Sequence, residues 1–469
     1  MQRRRFLYLL PAGIAVGLAG CGGVEPTPDD DWPPATPDDA EPAEPAEPTE
    51  TPDAEEIPGA DEYETVVDLV AEGADDGGES SIVPLLEEHL GDDTLLFLDE
   101  GVYRMDETLV VDGVSELGIV GRDATIRPPA GWEHTLFSVR ADRGLRVQGL
   151  TFDFDDAVGG RALQLSVGDD LEVVDVTIAG RFEAGPGPVR LDVPEADGAG
   201  VVEGLEIPDG GTFESDATGL YVGNRSHGDL TFRDCSIQGF PDNGLYADPP
   251  GGSMEVEGGY YANNGISNVR VKGGSTVRGV HVRCDGDHDD EFRNMRGIRA
   301  NDFRARADAD PVVVTGCRIE LLDVTYSDGA IELTSRLAEL VVEDTLVVVD
   351  ADEVEGILAK SPDDELRDGE ATPRIHCANV TVTGSAARRS AIRVDDRDGC
   401  TLEGLNVRQR GLERNGVEFR RSSGNTITDS FFDVTGDPVV LTDATADVDG
   451  IVSTHAPPFP FDRTAARSS

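Results

Sequence analysis

A short strand signal that recurs with the same lead-in constrains this chain more than any other feature. "PDNGLYADPP" (Pro241 to Pro250) and "NNGISNVRVKGG" (Asn263 to Gly274) each place Asn-Gly ahead of an aliphatic residue and an alternating strand. A lone Asn-Gly signals a two-residue hairpin. Related units nevertheless run along most of the chain: "GRALQLSV" from Gly160, "GPVRLDV" from Gly187, "TGLYVGN" around Gly219, "RGIRANDF" around Gly297, "DGAIELTS" around Gly329, "EGILAKS" around Gly356, "RSAIRVDD" around Ser390 and "NGVEFRR" around Gly416. A second kind of strand lies between them, as in "LEVVDVTIAG", "LTFRDCSIQG", "VVVTGCRIEL" and "NTITDSFFDVTG". Each launching strand resembles the next launching strand rather than its sequence neighbour. A hairpin reading therefore fails, and a stack of coils with like strands paired in parallel is expected. On this reading each Asn-Gly is the corner of a coil, where positive φ turns the chain into the next strand. The aliphatic residue behind it points into a shared core.

Upstream, "YETVVDLVAEGADDGGESSIVPLLEEHLGDDTLLFLDEGVYRM" (Tyr63 to Met105) reads as a strand, a turn, one amphipathic helix and another strand. Ser80 or Ser81 is placed to cap the helix, with Ile82, Leu85, Leu86 and Leu90 as its apolar face. Together with the repeats, this stretch resembles the pectate-lyase-like superfamily. The resemblance covers Tyr63 to Thr454. It implies an all-β fold: a single-stranded, right-handed parallel β-helix solenoid over residues 62–455, closed at its start by a capping helix.

Charge and targeting set the surroundings. The chain carries 93 acidic against 39 basic residues, a formal net charge of −54, and its only lysines are Lys272 and Lys360. No basic stripe exists to neutralise phosphates, so nucleic acid is excluded as a partner. Acids interleaved with aliphatics describe a solvated acidic surface over a core, a composition that resembles proteins of extreme halophiles. Residues 1–21 combine a basic start, a short apolar run and a small-residue end. Arg3-Arg4-Arg5-Phe6-Leu7 resembles a twin-arginine export signal, and Leu18-Ala19-Gly20-Cys21 resembles a lipobox with Cys21 the lipidated residue. Residues 22–61 read as a disordered, acidic, proline-rich tether and residues 456–469 as a disordered tail. The expected product is a haloarchaeal-type lipoprotein, monomeric and held at the outer face of the cell membrane.

Five further cysteines show no metal-site spacing. "RCDGDHDDEF" (Arg283 to Phe292) alternates Asp285, Asp287 and Asp289, like the start of a calcium loop. It lacks the Gly at the sixth position and the Glu at the twelfth, so a bare solvated loop stands beside calcium as a reading.

The outward face of the launching strand bears most directly on function. Strand residues alternate in and out, so one outward column should run Gln164, Arg190, Tyr221, Tyr246, Arg270, Arg299, Glu332, Leu358, Arg393 and Glu418. The next should run Asp192, Gly223, Asp248, Lys272, Asn301, Thr334, Lys360, Asp395 and Arg420. Aromatics pack on sugar rings and Arg forks bind carboxylates. Tyr221, Tyr246, Asn301, Glu332, Lys360 and Arg393 are thus candidate contacts for an acidic polysaccharide. If the face is catalytic, the resemblance favours a lyase over a hydrolase. Lys272, Arg270 and Arg299 would then remove the proton beside a uronate carboxylate and neutralise that carboxylate, with calcium as a possible helper. The alternatives are a non-catalytic adhesion, structural or glycan-binding module, and bases that merely balance the surrounding acids.

Overall fold

The structure, a computed structural model, describes residues 57–454 apart from 287–291, 293, 307, 368, 370 and 371. The export signal with Cys21, nearly all of the tether, the tail, and Asp287 and Asp289 lie outside the described residues. The described chain is a right-handed parallel β-solenoid of about 14 turns. In a representative turn, Asn243–Ala247 lies in a first sheet, Met254–Glu257 in a second and Tyr260–Ala262 in a third. Each pairs in parallel with its counterpart one turn on: Ser267–Lys272, Thr276–Arg278 and His281–Asp285. Every strand pairing among the described residues is parallel in this way, which leaves no hairpin among them. One turn advances about 4.8 Å, the spacing of paired strands.

The aliphatic residues stack as the alternation requires. Leu220, Leu245, Val269, Ile298, Ile331, Ile357, Ile392 and Val417 are buried in one continuous core, and the register sets each over the next. Near the start, Leu109–Arg127 and Thr135–Asp153 are each 19 residues long and pair with one another, their register broken by bulges. The first described strand, Thr65–Asp68, pairs with Thr94–Leu98.

Two local expectations are corrected. The helix runs Val83–His89 with Ile82 as its N-cap residue and no side-chain cap; a proline in its first turn leaves fewer N–H groups to satisfy. Ile82, Val83 and Leu86 are buried, whereas Leu85 and Leu90 are half-buried, so the apolar face is rotated from the one expected.

The Asn-Gly pairs, in turn, are not the corners. Asn243, Gly244, Asn264 and Gly265 all have φ outside the left-handed region. The glycines are required by crowding: a Cβ on Gly265 would lie 2.0 Å from the Pro241 carbonyl oxygen, and one on Gly244 would lie 2.5 Å from Asn264 Nδ2. The positive-φ corner sits between the second and third sheets. There Asp175, Gly204, Asp234, Gly258, Gly279, Gly316, Asp344, Asn379, Gly404, Asp429 and Gly450 hold φ between 47° and 65° in successive turns. Asp and Asn share this slot with Gly because short polar side chains tolerate the left-handed region.

Candidate functional site

The outward column of the first sheet is continuous. Gln164, Arg190, Tyr221, Tyr246, Arg270, Arg299, Glu332, Leu358, Arg393 and Glu418 are successive Cα partners across turns. Tyr221 and Tyr246 meet edge to face with centroids 5.2 Å apart. Arg270 lies over the Tyr246 ring at 4.1 Å and Arg190 over Tyr221 at 5.6 Å. The central row is thus a packed series of two guanidinium groups and two rings, and one face of Tyr246 is already covered by Arg270.

Below this row lies a layer of acids. Arg270 donates from Nη2 to Asp248 Oδ2 at 2.8 Å, and the Asp248 carboxylate is fully buried while Arg270 keeps 13% of its side chain exposed. Asp248 also accepts from Asn301 Nδ2 (2.5 Å) and from the Phe303 amide (3.2 Å). Burial raises the Asp248 carboxyl above the usual range against the opposing charge of Arg270. Asn301 in turn accepts from Thr334 Oγ1 at 2.9 Å, so it bridges two turns and is itself buried.

Glu332 is the clearest case of the layering. Expected to face solvent, it is fully buried, and three cations close over it: Arg299 at 3.1 Å, Lys360 at 2.6 Å, and Arg296 in a still shorter pair. Asp328 adds a second carboxylate, paired with Arg296 (2.5 Å) and Lys360 (2.7 Å). Burial pushes the Asp328 carboxyl up, but the Lys360 hydrogen bond and the Arg296 charge together hold it well below the usual carboxylate range. Burial lowers the Arg299 guanidinium despite Glu332. Arg393 divides itself between Asp395 (2.7 Å) and the buried Glu355 (3.2 Å). The column residues with outward reach are therefore the bases and tyrosines, while their acid partners lie beneath.

Lys272 is in register with Asn301 and is buried, donating its ammonium to the Gly252 carbonyl. Burial lowers its pKa, helped by Arg306. Asp242 directly precedes the strand Asn243–Ala247 that carries Tyr246. It accepts from Thr218 Oγ1 and Asn243 Nδ2, both at 2.7 Å, and burial raises its carboxyl above the usual range.

Of the proposed calcium ligands, only Asp285 is described. It sits on the third sheet, away from the first-sheet columns. Its oxygens accept from Arg283 (2.7 Å) and Asn263 (3.0 Å). Among the described residues no three His, Cys, Asp or Glu side chains converge on a metal position. Cys235, Cys284, Cys317, Cys377 and Cys400 are free and buried.

Sequence reasoning missed Arg296, Asp328, Asp242 and Glu355, all of which lie at strand entrances. Their only signal was position: Asp242, Asp328 and Glu355 each stand in the two residues before the glycine of a launching strand.

No protein-family model and no curated protein sequence matches the chain. Solved structures do match its shape. The A-module of the mannuronan C-5 epimerase AlgE4 from Azotobacter vinelandii aligns over 83% of this chain and 100% of its own, with 11% identity and a TM-score of 0.50. The shared fold is the right-handed parallel β-helix. The A-module of AlgE6 from the same organism aligns over 84% and 100%, with 14% identity and a TM-score of 0.45. The surface adhesin PfbA of Streptococcus pneumoniae aligns over 83% and 93%, with 11% identity and a TM-score of 0.46. At these identities the likeness concerns architecture alone.

Proposed function

We propose that this protein binds an acidic polysaccharide along the Tyr221–Tyr246–Arg270–Arg299 face of its first sheet. The observation that carries the reading is the layering of charge. On a chain of net charge −54, this face buries its carboxylates and leaves Arg270, Arg299, Arg393 and Lys360 outermost, while Lys272 and Arg296 are buried with the acids. Side-chain exposures are 13% for Arg270, 22% for Arg299, 25% for Arg393 and 35% for Lys360, against none for Asp248, Glu332 and Glu355. Simple charge balance needs no such order, whereas buried acids that fix the outward forks prepare them for a ligand carboxylate. The tyrosine edges beside them offer apolar contact to sugar rings.

A second reading is cleavage by β-elimination, in which Lys272, Arg270 and Arg299 would together remove the proton beside a uronate carboxylate and neutralise that carboxylate. The reading for the whole chain is of a cell-surface protein, exported by its twin-arginine segment and anchored through lipid on Cys21. Among the described residues no helix is long and apolar enough to cross a membrane.

The test is to incubate the purified protein, in high salt, with a panel of acidic polysaccharides while following both binding and the ultraviolet absorbance of unsaturated uronate. Binding to a uronate polymer that Arg299→Ala weakens is the expected result. No binding to any of them would overturn the proposal, and binding without absorbance would remove the lyase reading. For the anchor, Cys21→Ala is expected to shift the protein from the membrane fraction to the medium or to leave it unprocessed. Normal processing with an unchanged membrane fraction would remove the lipid site.

A further inference from the structure

The first-sheet columns continue past Arg190 toward the start of the chain. Val110, Ser138, Gln164 and Arg190 are successive Cα partners, and so are Asp112, Arg140, Ser166 and Asp192. Here the sheet is the floor of an open cleft of about 310 Å³, at the lower end of the range for pockets that hold a small organic ligand. Arg225 joins its lining from the turn that follows Leu220–Val222. That turn is fixed in place. Asp192 Oδ1 accepts from the Arg225 amide at 3.0 Å, Ser226 Oγ accepts from the Val193 amide at 3.1 Å, and the Ser226 amide donates to the Gly223 carbonyl at 3.1 Å. Gly223 makes room for the Asp192 carboxylate, since a Cβ there would lie 2.2 Å from its Oδ1.

Two observations set this cleft apart from the ladder beside it. Its charges do not cancel: Asp112 and Asp192 stand against Arg140, Arg190 and Arg225. Arg140 pairs with Asp112 at 3.1 Å and Arg190 with the buried Asp192 at 2.9 Å, which leaves Arg225 over. Its donors are also uncommitted. Among the described residues, the Arg225 guanidinium, the Ser138 and Ser166 hydroxyls and the Gln164 side-chain nitrogen have no hydrogen-bond or ion-pair partner, whereas Arg270, Arg299 and Arg393 are each held by an acid. We infer that the cleft seats one uronate residue of the polysaccharide, with its carboxylate on Arg225 beside Arg190 and its hydroxyls on Ser138, Gln164 and Ser166. The seat rests on the acidic-polysaccharide reading and adds to it where along the sheet a sugar is held. Tyr221 is in register with Arg190, so a polymer lying on the ladder enters the cleft without leaving the first sheet. Arg190 and Arg299 are four turns apart, about 19 Å at the spacing of paired strands, and one chain of several sugars spans both.

The experiment measures the binding of alginate, polygalacturonate and hyaluronan, at one fixed salt concentration, to wild type, Arg225→Ala, Ser138→Leu, Arg299→Ala and Arg278→Ala, with circular dichroism establishing that each is folded. Ser138→Leu fills the floor of the cleft without changing charge. Arg278 is exposed on the second sheet and, like Arg225, has no partner among the described residues, so its variant controls for the loss of one positive charge. The polymer that wild type binds is expected to bind about fivefold or more weakly to both cleft variants, and equally well to Arg278→Ala. Wild-type affinity in Arg225→Ala, or in a folded Ser138→Leu, would overturn the seat; weakening by Arg299→Ala in the same series would show that the ladder reading still stands. An equal loss in Arg278→Ala would overturn the seat in favour of charge alone. If wild type binds none of the three polymers, the polysaccharide reading falls and the seat with it. If Ser138→Leu does not fold, Arg225→Ala decides.

Discussion

Replacing Glu332 with Gln tests the layering from inside. Glu332 is fully buried beneath Arg296, Arg299 and Lys360. The amide keeps the shape and removes the charge, leaving Arg296 and Lys360 with Asp328 and taking from Arg299 the carboxylate it pairs with. Removing one partner of a buried ion pair costs about 3–5 kcal/mol. Arg299 and Lys360 keep 22% and 35% of their side chains in water, which lowers the expectation to about 2–4 kcal/mol. With an unfolding entropy of about 2.1 cal/mol/K per residue over the roughly 400-residue solenoid, this is a fall in melting temperature of about 2–5 °C. Far-ultraviolet circular dichroism at one fixed salt concentration and neutral pH reads it. A change below about 1 °C, or a rise, would refute the claim that Glu332 organises the cations above it.

Three further expectations follow from the same geometry. Gly265→Ala puts a methyl group against the Pro241 carbonyl and should cost about 1–3 kcal/mol; Gly279→Asn, at φ 64° with no neighbour closer than 4.0 Å to the new Cβ, should cost less than about 1 kcal/mol, and chemical denaturation of both variants compares them. Asp328 has a folded pKa below its unfolded one, so its contribution is present above the unfolded carboxylate range near 3.9 and is lost as pH falls through the lower folded value; the destabilisation of Asp328→Asn should therefore be full at pH 7 and shrink in strong acid, and a penalty independent of pH would contradict this. The acidic shell should make folding depend on molar salt, since charges are screened within about 3 Å at 1 M but only within about 10 Å at 0.1 M; β-structure fully retained on dialysis to low salt would refute it.

The residues that were legible from sequence, and those that were not, divide along physical lines. The Tyr221–Tyr246–Arg270–Arg299 column could be read because a parallel stack repeats the in–out alternation without slippage: Leu245, Val269 and Ile298 must point inward, so the residues after them must not. The corner was misread because Asn-Gly is a strong hairpin signal in isolation. The true corner was also written in the sequence, as the Asp, Gly or Asn that follows the second strand in "VVDV", "FRDC", "VTGC" and "ITDS". A slot shared by three residue types is harder to see than one repeated dipeptide. Burial of Glu332 was illegible for a different reason. Its place in the alternation is outward, and only the length of Arg296, Arg299 and Lys360, folding back over it from three positions, removes it from water. Asp242 and Asp328 precede their strands, where an acidic chain places many carboxylates, and nothing in one dimension separates those that face the ladder from those that face solvent.

The central claim is that one face of the solenoid, and not its charge as a whole, engages glycan. Tyr246 stands in the first-sheet column, while Tyr260 stands on the third sheet beside His281. The decisive measurement is the affinity of a uronate polymer for wild type, Tyr246→Ala and Tyr260→Ala at a single salt concentration, with circular dichroism to establish that all three are folded. A loss of about 1–3 kcal/mol, roughly 5- to 150-fold, is expected for Tyr246→Ala, and no change for Tyr260→Ala. Equal affinities for all three proteins, or equal losses in both variants, would contradict it.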